Sequence, residues 1–255
     1  MSTRTRPRTL RPLRYGAGTL CVRYYDADGT EHLVAAQNAS AVDFASCTPA
    51  RDIPSYVGQH HTPGLYWSAS SDRHVAYESF LELKWMKLLD HDPHVALFTS
   101  QPFTLEGADA HGRWRHTPDL FVRRTDGSVL IVDVKNPLSL SKPSVIQQAD
   151  RTAEACRRIG WDYQMVGDIA PQRWANIEWL AGYRRPLRAC AHLADPLLAL
   201  ADRPVAVGDL VSFQPAPELA RPVVYHLLWH NRLACDLDQP LRDHTRVWTT
   251  GKGEA

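Results

Sequence analysis

Two short apolar runs, Leu120-Phe-Val and Val129-Leu-Ile-Val, flank the polar tetrapeptide Thr125-Asp126-Gly127-Ser128. An Asp-Gly pair between apolar segments signals a β-hairpin, because these residues accept the positive φ angles of a tight turn. Alternation continues beyond the second run into Asp133-Val134-Lys135. On a strand, Asp133 and Lys135 then share one face while Val134 points into the core. Asp119 enters from the neighbouring strand, so the pattern predicts two carboxylates and an ammonium on one face of a sheet.

The same reading carries along the rest of the chain. Residues 20–25 and 31–36 flank Asp26-Ala-Asp-Gly29 as a hairpin, and 64–77 form another, turned at Ser70-Ser-Asp72. Residues 37–62 hold few regular signals. Ser79-Phe-Leu-Glu82 opens a helix reaching about His91, with Ser79 as N-cap and Glu82 completing a capping box. At about 100° per residue, Glu82 falls in the arc of Trp85, Met86 and Leu89, opposite Lys84 and Lys87. A carboxylate on a buried face needs a partner, and either the helix cap or a bound cation can supply one. Glu78, one turn earlier, is the rival candidate.

Residues 95–105 read as a strand broken at Gln101-Pro102, with 106–112 as a polar turn before the Asp-Gly hairpin. Beyond the irregular stretch 136–143, a helix over 144–159 carries Val145, Ala149, Ala153 and Cys156 as its apolar stripe and stops at Gly160. A strand over 161–166 and a helix over 171–183, with Trp174, Ile177 and Leu180 on one face, complete the series. This order of helix, three strands, helix, strand and helix predicts an α/β fold, a mixed sheet with helices packed on its faces. After the boundary at 184–188, Asp195 caps a helix with Pro196 at its first position. Segments 207–213 and 222–230 follow as short helices, and 232–236 with 245–249 as a β-ribbon. Three helices and a ribbon predict a small winged-helix-like module over 190–250.

Composition changes this picture only locally. A net charge of +1 over 255 residues gives no global field toward a polyanion. Arg4, Arg6, Arg8, Arg11 and Arg14, with no acid among them, make residues 1–15 a basic flexible arm. Clustered arginines also suit contact with DNA phosphates, as do Arg115 and Lys142. The arm lacks the apolar segment of a secretory signal, and no stretch is long and apolar enough for a membrane span. Five scattered cysteines without a C-x-x-C pair fit a reduced, cytoplasmic protein. His60-His61 and His91-x-x-His94 lack companion ligands at zinc spacing. No Gly-rich phosphate loop occurs, which argues against ATP hydrolysis by this chain.

Carboxylates facing a lysine on adjacent strands suit a hard divalent cation and a phosphate. In this reading Asp119 and Asp133 ligate Mg²⁺, Glu82 completes the site, and the Val134 carbonyl adds an oxygen. Lys135 orients the attacking water and stabilises developing charge. Glu82, Pro118-Asp119 and Asp133-x-Lys135 resemble the PD-(D/E)xK nuclease superfamily, whose fold is a restriction-endonuclease-like core. More specifically, the chain resembles the TnsA family, the endonuclease subunit of heteromeric transposases. That resemblance rests on Ser79-Phe-Leu-Glu82, the run 88–95, Gln101-Pro102, Thr117-Pro-Asp119, Ile131-Val-Asp-Val-Lys135-Asn-Pro137 and Asn176-Ile-Glu-Trp-Leu180. It covers about residues 60–185 and favours Glu82 over Glu78.

The resemblance implies an endonuclease domain over 16–186, with its core at about 64–183. It implies Mg²⁺-dependent cleavage (Mn²⁺ substituting) at the 5′ ends of a transposon. The implied partners are double-stranded DNA, a DDE transposase and an AAA+ regulator. A stand-alone restriction or repair nuclease, and a non-enzymatic DNA- or partner-binding protein on a nuclease-like core, stand as alternatives.

Overall fold

A computed structural model describes residues 18–51 and 63–251. The Arg4–Arg14 arm and His60-His61 lie outside the described residues. The described residues divide into two compact units, one of 18–51, 63–67, 74–83 and 96–168, the other of 68–73, 84–95 and 169–251. No helix among the described residues is long and apolar enough to cross a membrane. The fold is mixed α/β.

The first unit opens with β1 (Leu20–Tyr25) and β2 (Glu31–Ala35), an antiparallel hairpin as expected. Strands β3 (Gly64–Ser68) and β4 (Arg73–Tyr77) pair with each other in a two-stranded sheet. Helix α1 (Phe80–His91) follows, contributing its first turn to this unit and its remainder to the other. The segment 95–105 is two strands, β5 (Val95–Ser100) and β6 (Thr104–Asp109), and they enter different sheets. The expected polar turn at 106–112 is corrected: β6 runs to Asp109 and pairs with β7 (Gly112–His116). The polarity misleads because Glu106 is paired within the sheet. Its carboxylate accepts from Arg23 Nε on β1 at 2.7 Å, and Arg23 also pairs with Glu31.

Strands β8 (Leu120–Arg124) and β9 (Val129–Val134) form the antiparallel hairpin around Gly127, whose φ of 84° is the one the turn requires. Helix α2 (Pro143–Ile159) ends at Gly160 in the left-handed conformation, φ 91°, its N–H bonded to the Cys156 carbonyl. The chain then returns as β10 (Asp162–Val166), parallel to β9. One sheet has the order β2-β1-β6-β7 and the other β10-β9-β8-β5.

The buried face of α2 also departs from expectation. Thr152, Ala155, Cys156 and Ile159 are buried, whereas Ala153 is exposed. Thr152 tolerates burial because its hydroxyl donates to the Gln148 carbonyl at 2.8 Å. Ala155, Cys156 and Ile159 meet Phe44, Phe103, Phe121, Ile131 and Trp161 in one core. Phe44 lies 4.7 Å from Phe103 and 5.6 Å from Trp161, ring centre to ring centre. Each fully buried Phe contributes about 1.5–3 kcal/mol.

The second unit holds the rest of α1 with α3 (Pro171–Leu180), α4 (Ala194–Leu200), β11 (Val205–Ala206), α5 (Val207–Ser212), α6 (Pro217–Trp229), β12 (Leu233–Ala234) and β13 (Arg246–Thr249). Ile177, Leu180 and Trp174 pack into its core, so the division falls before α3 rather than after residue 186. Helix α6 starts five residues earlier than expected: Pro217 occupies the first turn, where a missing N–H is harmless, and Pro222 lies inside. Asp195 lies within the first turn of α4 instead of capping it, because the helical backbone already begins at Ala194. The ribbon β12–β13 is antiparallel, and β11 adds to the other edge of β13.

Candidate active site

The hairpin and the first turn of α1 bring the four expected side chains into one electrostatic group, all within the first unit. Asp119 immediately precedes β8 and is 8% exposed; Asp133, near the end of β9, is 1% exposed. Lys135 Nζ lies 2.9 Å from Asp119 Oδ2 and 3.9 Å from Asp133 Oδ1. The Val134 N–H donates to Asp119 Oδ2 at 2.7 Å, so the backbone beside Asp133 is tied to the other carboxylate. Glu82, buried at 8% exposure, interacts with the charges of both Asp119 and Lys135. Its rival Glu78 is committed elsewhere, to Arg51 at 2.5 Å.

Glu82 also caps α1. Its Oε2 accepts from the Glu78 N–H at 2.9 Å, Ser79 Oγ donates to its Oε1 at 2.8 Å, and its own N–H donates to Ser79 Oγ at 3.2 Å. The capping box is therefore present, with the carboxylate reaching one residue further back than the N-cap amide. Cap and charged-site roles coexist in this one side chain.

Two site residues escaped the sequence reading. His116, at the end of β7, places Nε2 2.8 and 2.7 Å from the two oxygens of Asp133. Tyr163 on β10 donates its hydroxyl to Asp133 Oδ2 at 2.8 Å. Alternation along β7 turns His116 toward Asp133 while Arg115 is exposed. Gln101 stands at the expected strand break, between β5 and β6. It is buried, with its N–H donating to the Asp119 carbonyl at 3.0 Å. Lys142 is exposed ahead of α2. Neither Arg115 nor Lys142 carries an ion pair among the described residues.

The electrostatics follow from burying three carboxylates around one ammonium. Burial pushes the Glu82 carboxyl up, and the charge of Asp119 adds to this against the helix-cap hydrogen bonds. Burial likewise raises Asp119, helped by Asp133 and opposed by Lys135. For Asp133 burial acts in the same sense but is outweighed by His116, Lys135 and Tyr163, which hold the carboxyl below its ordinary range. Lys135 resists burial because Asp119 and Asp133 raise it, so its ammonium stays protonated. The Tyr163 phenol is raised first by burial and then by Asp133, which keeps it a donor.

Three carboxylates are the oxygen donors a hard cation prefers, and their mutual repulsion is what a cation relieves. Among the described residues, both side-chain hydrogen bonds to Asp119 fall on Oδ2 and none on Oδ1. The arrangement is nonetheless closed. Glu82 is turned to its cap and Asp133 to His116 and Tyr163. No group of three or more His, Cys, Asp or Glu among the described residues is placed to hold an ion. The donor set suits Mg²⁺ in kind, and holding it requires Glu82 or Asp133 to exchange a protein partner for the ion. No protein-family model matches the sequence, and no curated protein matches it.

Proposed function

We propose that this protein is a metal-dependent DNA endonuclease of PD-(D/E)xK type, acting as the TnsA-like subunit of a heteromeric transposase. The observation that carries the reading is the Asp119–Lys135 pair, 2.9 Å apart, with Asp133 and Glu82 in the same electrostatic group. The order α1, β5, β8, β9, α2, β10, with those strands in a single sheet, supports a restriction-endonuclease-like core. The order α4, β11, α5, α6 followed by the β12–β13 ribbon supports a winged-helix-like module.

Asp119, Asp133 and Glu82, with the Val134 carbonyl, would hold Mg²⁺ or Mn²⁺. When bound, the cation supplies charge neutralisation at the scissile phosphate and at the leaving oxygen. Lys135, kept protonated by its two carboxylates, donates to the attacking water and to the phosphate oxygens as charge accumulates. His116 and Tyr163 fix the orientation of Asp133.

The winged-helix-like module suits a protein partner better than a DNA groove. On α6 the exposed positions include Glu218, Leu219 and Pro222, and Arg221 is paired with Asp243 at 2.5 Å. This supports docking of a DDE transposase or AAA+ regulator, with the duplex at the nuclease centre. The closed carboxylates favour a second reading, a non-enzymatic DNA- or partner-binding protein built on the same core.

Strand-specific cleavage of an end-labelled transposon duplex, with the partner transposase and with or without Mg²⁺, separates the two. The nuclease reading expects Mg²⁺-dependent 5′-strand cleavage that Asp119→Ala and Lys135→Ala abolish. Cleavage retained in both variants, or none from wild type in the assembled complex, overturns it.

A further inference from the structure

Gln101 breaks two rules of a stable protein at once. It is 1% exposed, yet neither Nε2 nor Oε1 of its buried carboxamide has a protein hydrogen-bond partner among the described residues. A buried amide without partners is destabilising, and such groups in folded proteins call for an explanation. The backbone of Gln101 is also left-handed, φ 47°, a conformation that Gly adopts freely and a long side chain does not. Pro102 follows directly and restricts its neighbour further.

Neither feature is an incidental defect at a loose loop. The residue joins β5 to β6, where the chain passes from one sheet to the other. Its N–H donates to the Asp119 carbonyl at 3.0 Å, and its carbonyl accepts from the Ala50 N–H at 2.7 Å. Ser100, Pro102 and Phe103 around it are all buried. A Gly would ease the backbone, and a Met or Leu would fill the space without orphaned polar atoms. Glutamine is the poorer choice for the folded protein by itself. Strain and unsatisfied polarity at a residue whose backbone is tied to that of Asp119 are the marks of a residue kept for a bound state.

We infer that Gln101 is a substrate-contacting residue of the site, its carboxamide reserved for the hydrated DNA phosphodiester brought to Asp119 and Lys135. The chemistry matches the need of the amide. A phosphate oxygen accepts from Nε2, and a water on that phosphate donates to Oε1, so one ligand satisfies both halves. A bare anion would satisfy only the donor, and a cation only the acceptor. The amide atoms are shut off in the free protein, so the contact belongs to the rearranged, substrate-bound site. A rearrangement of the site is already required if Glu82 or Asp133 is to exchange a protein partner for a cation.

This inference rests on the nuclease reading, and its test separates the two. Gln101→Met keeps the bulk and removes the amide, Gln101→Gly relieves the backbone, and Gln101→Asn keeps a carboxamide on a residue that tolerates positive φ. Full-length variants are compared with wild type and Asp119→Ala in thermal unfolding and in Mg²⁺-dependent cleavage with the partner transposase. The expected result is a rise in Tm of about 2–4 °C for Met or Gly. Cleavage by both should fall on the order of a hundredfold, as for the loss of one oriented donor, with Asn retaining more activity than Met. Gln101→Met that cleaves like wild type overturns the inference while leaving the nuclease reading intact. Gln101→Met that lowers Tm also overturns it, since the amide then has a partner in the fold itself. Wild type that fails to cleave, or cleaves no better than Asp119→Ala, removes the nuclease reading and this contact with it.

Discussion

Glu82 can be divided into its two roles by one pair of substitutions. Glu82→Gln keeps an acceptor for the Glu78 N–H and a polar group for Ser79, the two cap contacts now at 2.9 and 2.8 Å. It removes only the charge, and that charge is unfavourable in the folded protein because burial and Asp119 raise its carboxyl. Stability should therefore hold or rise slightly. Glu82→Ala removes the cap as well, leaves the Glu78 N–H without its partner, and should lose about 0.5–2 kcal/mol. At roughly 2–4 °C per kcal/mol, that is a fall in Tm of about 1–8 °C. Cleavage behaves differently: both variants lack the third carboxylate and should lose on the order of a hundredfold or more. Differential scanning fluorimetry reads the first quantity, and quantified nicking of an end-labelled duplex in the assembled complex reads the second. Wild-type cleavage by Glu82→Gln would show that Glu82 is a helix cap and nothing more.

Other expected outcomes test the surrounding structure. His116→Ala deprives the buried Asp133 of its nearest donor, 2.7 Å away, and should lower stability by about 1.5–3 kcal/mol in urea unfolding; an unchanged midpoint would mean that the pair contributes nothing. Arg23→Met leaves Glu106 without its buried partner and should be destabilising by about 3–5 kcal/mol, whereas the double variant with Glu106→Leu should recover much of this. Burial pushes His91 from 6.5 down to about 4. The unfolded chain thus takes up the proton first, so this contribution is full above about pH 6.5. It is lost progressively as pH falls toward 4, to a total of about 3 kcal/mol. His91→Phe, which keeps an aromatic ring against Trp229, should flatten that part of the Tm–pH curve; parallel curves would refute the assignment.

Local chemistry made the framework of the site readable before the fold was seen. The Asp-Gly turn set the β8–β9 hairpin, and its register placed Val132 opposite Leu120, bringing Asp133 and Asp119 together at one end. Ser79 and Glu82 announced the start of α1 by their capping pattern. What stayed hidden depends on tertiary partners. His116 belongs to the sheet of β6 and β7, and nothing in its own segment says that it meets Asp133 on β9. Tyr163 reads as an ordinary strand aromatic until β10 is known to lie parallel to β9, with Tyr163 opposite Ile131. Glu106 looked like a turn residue because its partner Arg23 lies far back in the sequence. On α2, Thr152 looked polar and Ala153 apolar, but a hydroxyl bonded to its own helix buries more readily than its type suggests.

Calorimetric titration of Mn²⁺ into the full-length protein with duplex DNA present bears most directly on the proposed metal-dependent centre. Wild type should bind the ion, and Asp119→Asn, which keeps the shape of the side chain and removes its charge, should lose most of that affinity. Equal binding by both proteins, or no binding by wild type alongside normal DNA affinity, would contradict a cation site at Glu82, Asp119 and Asp133.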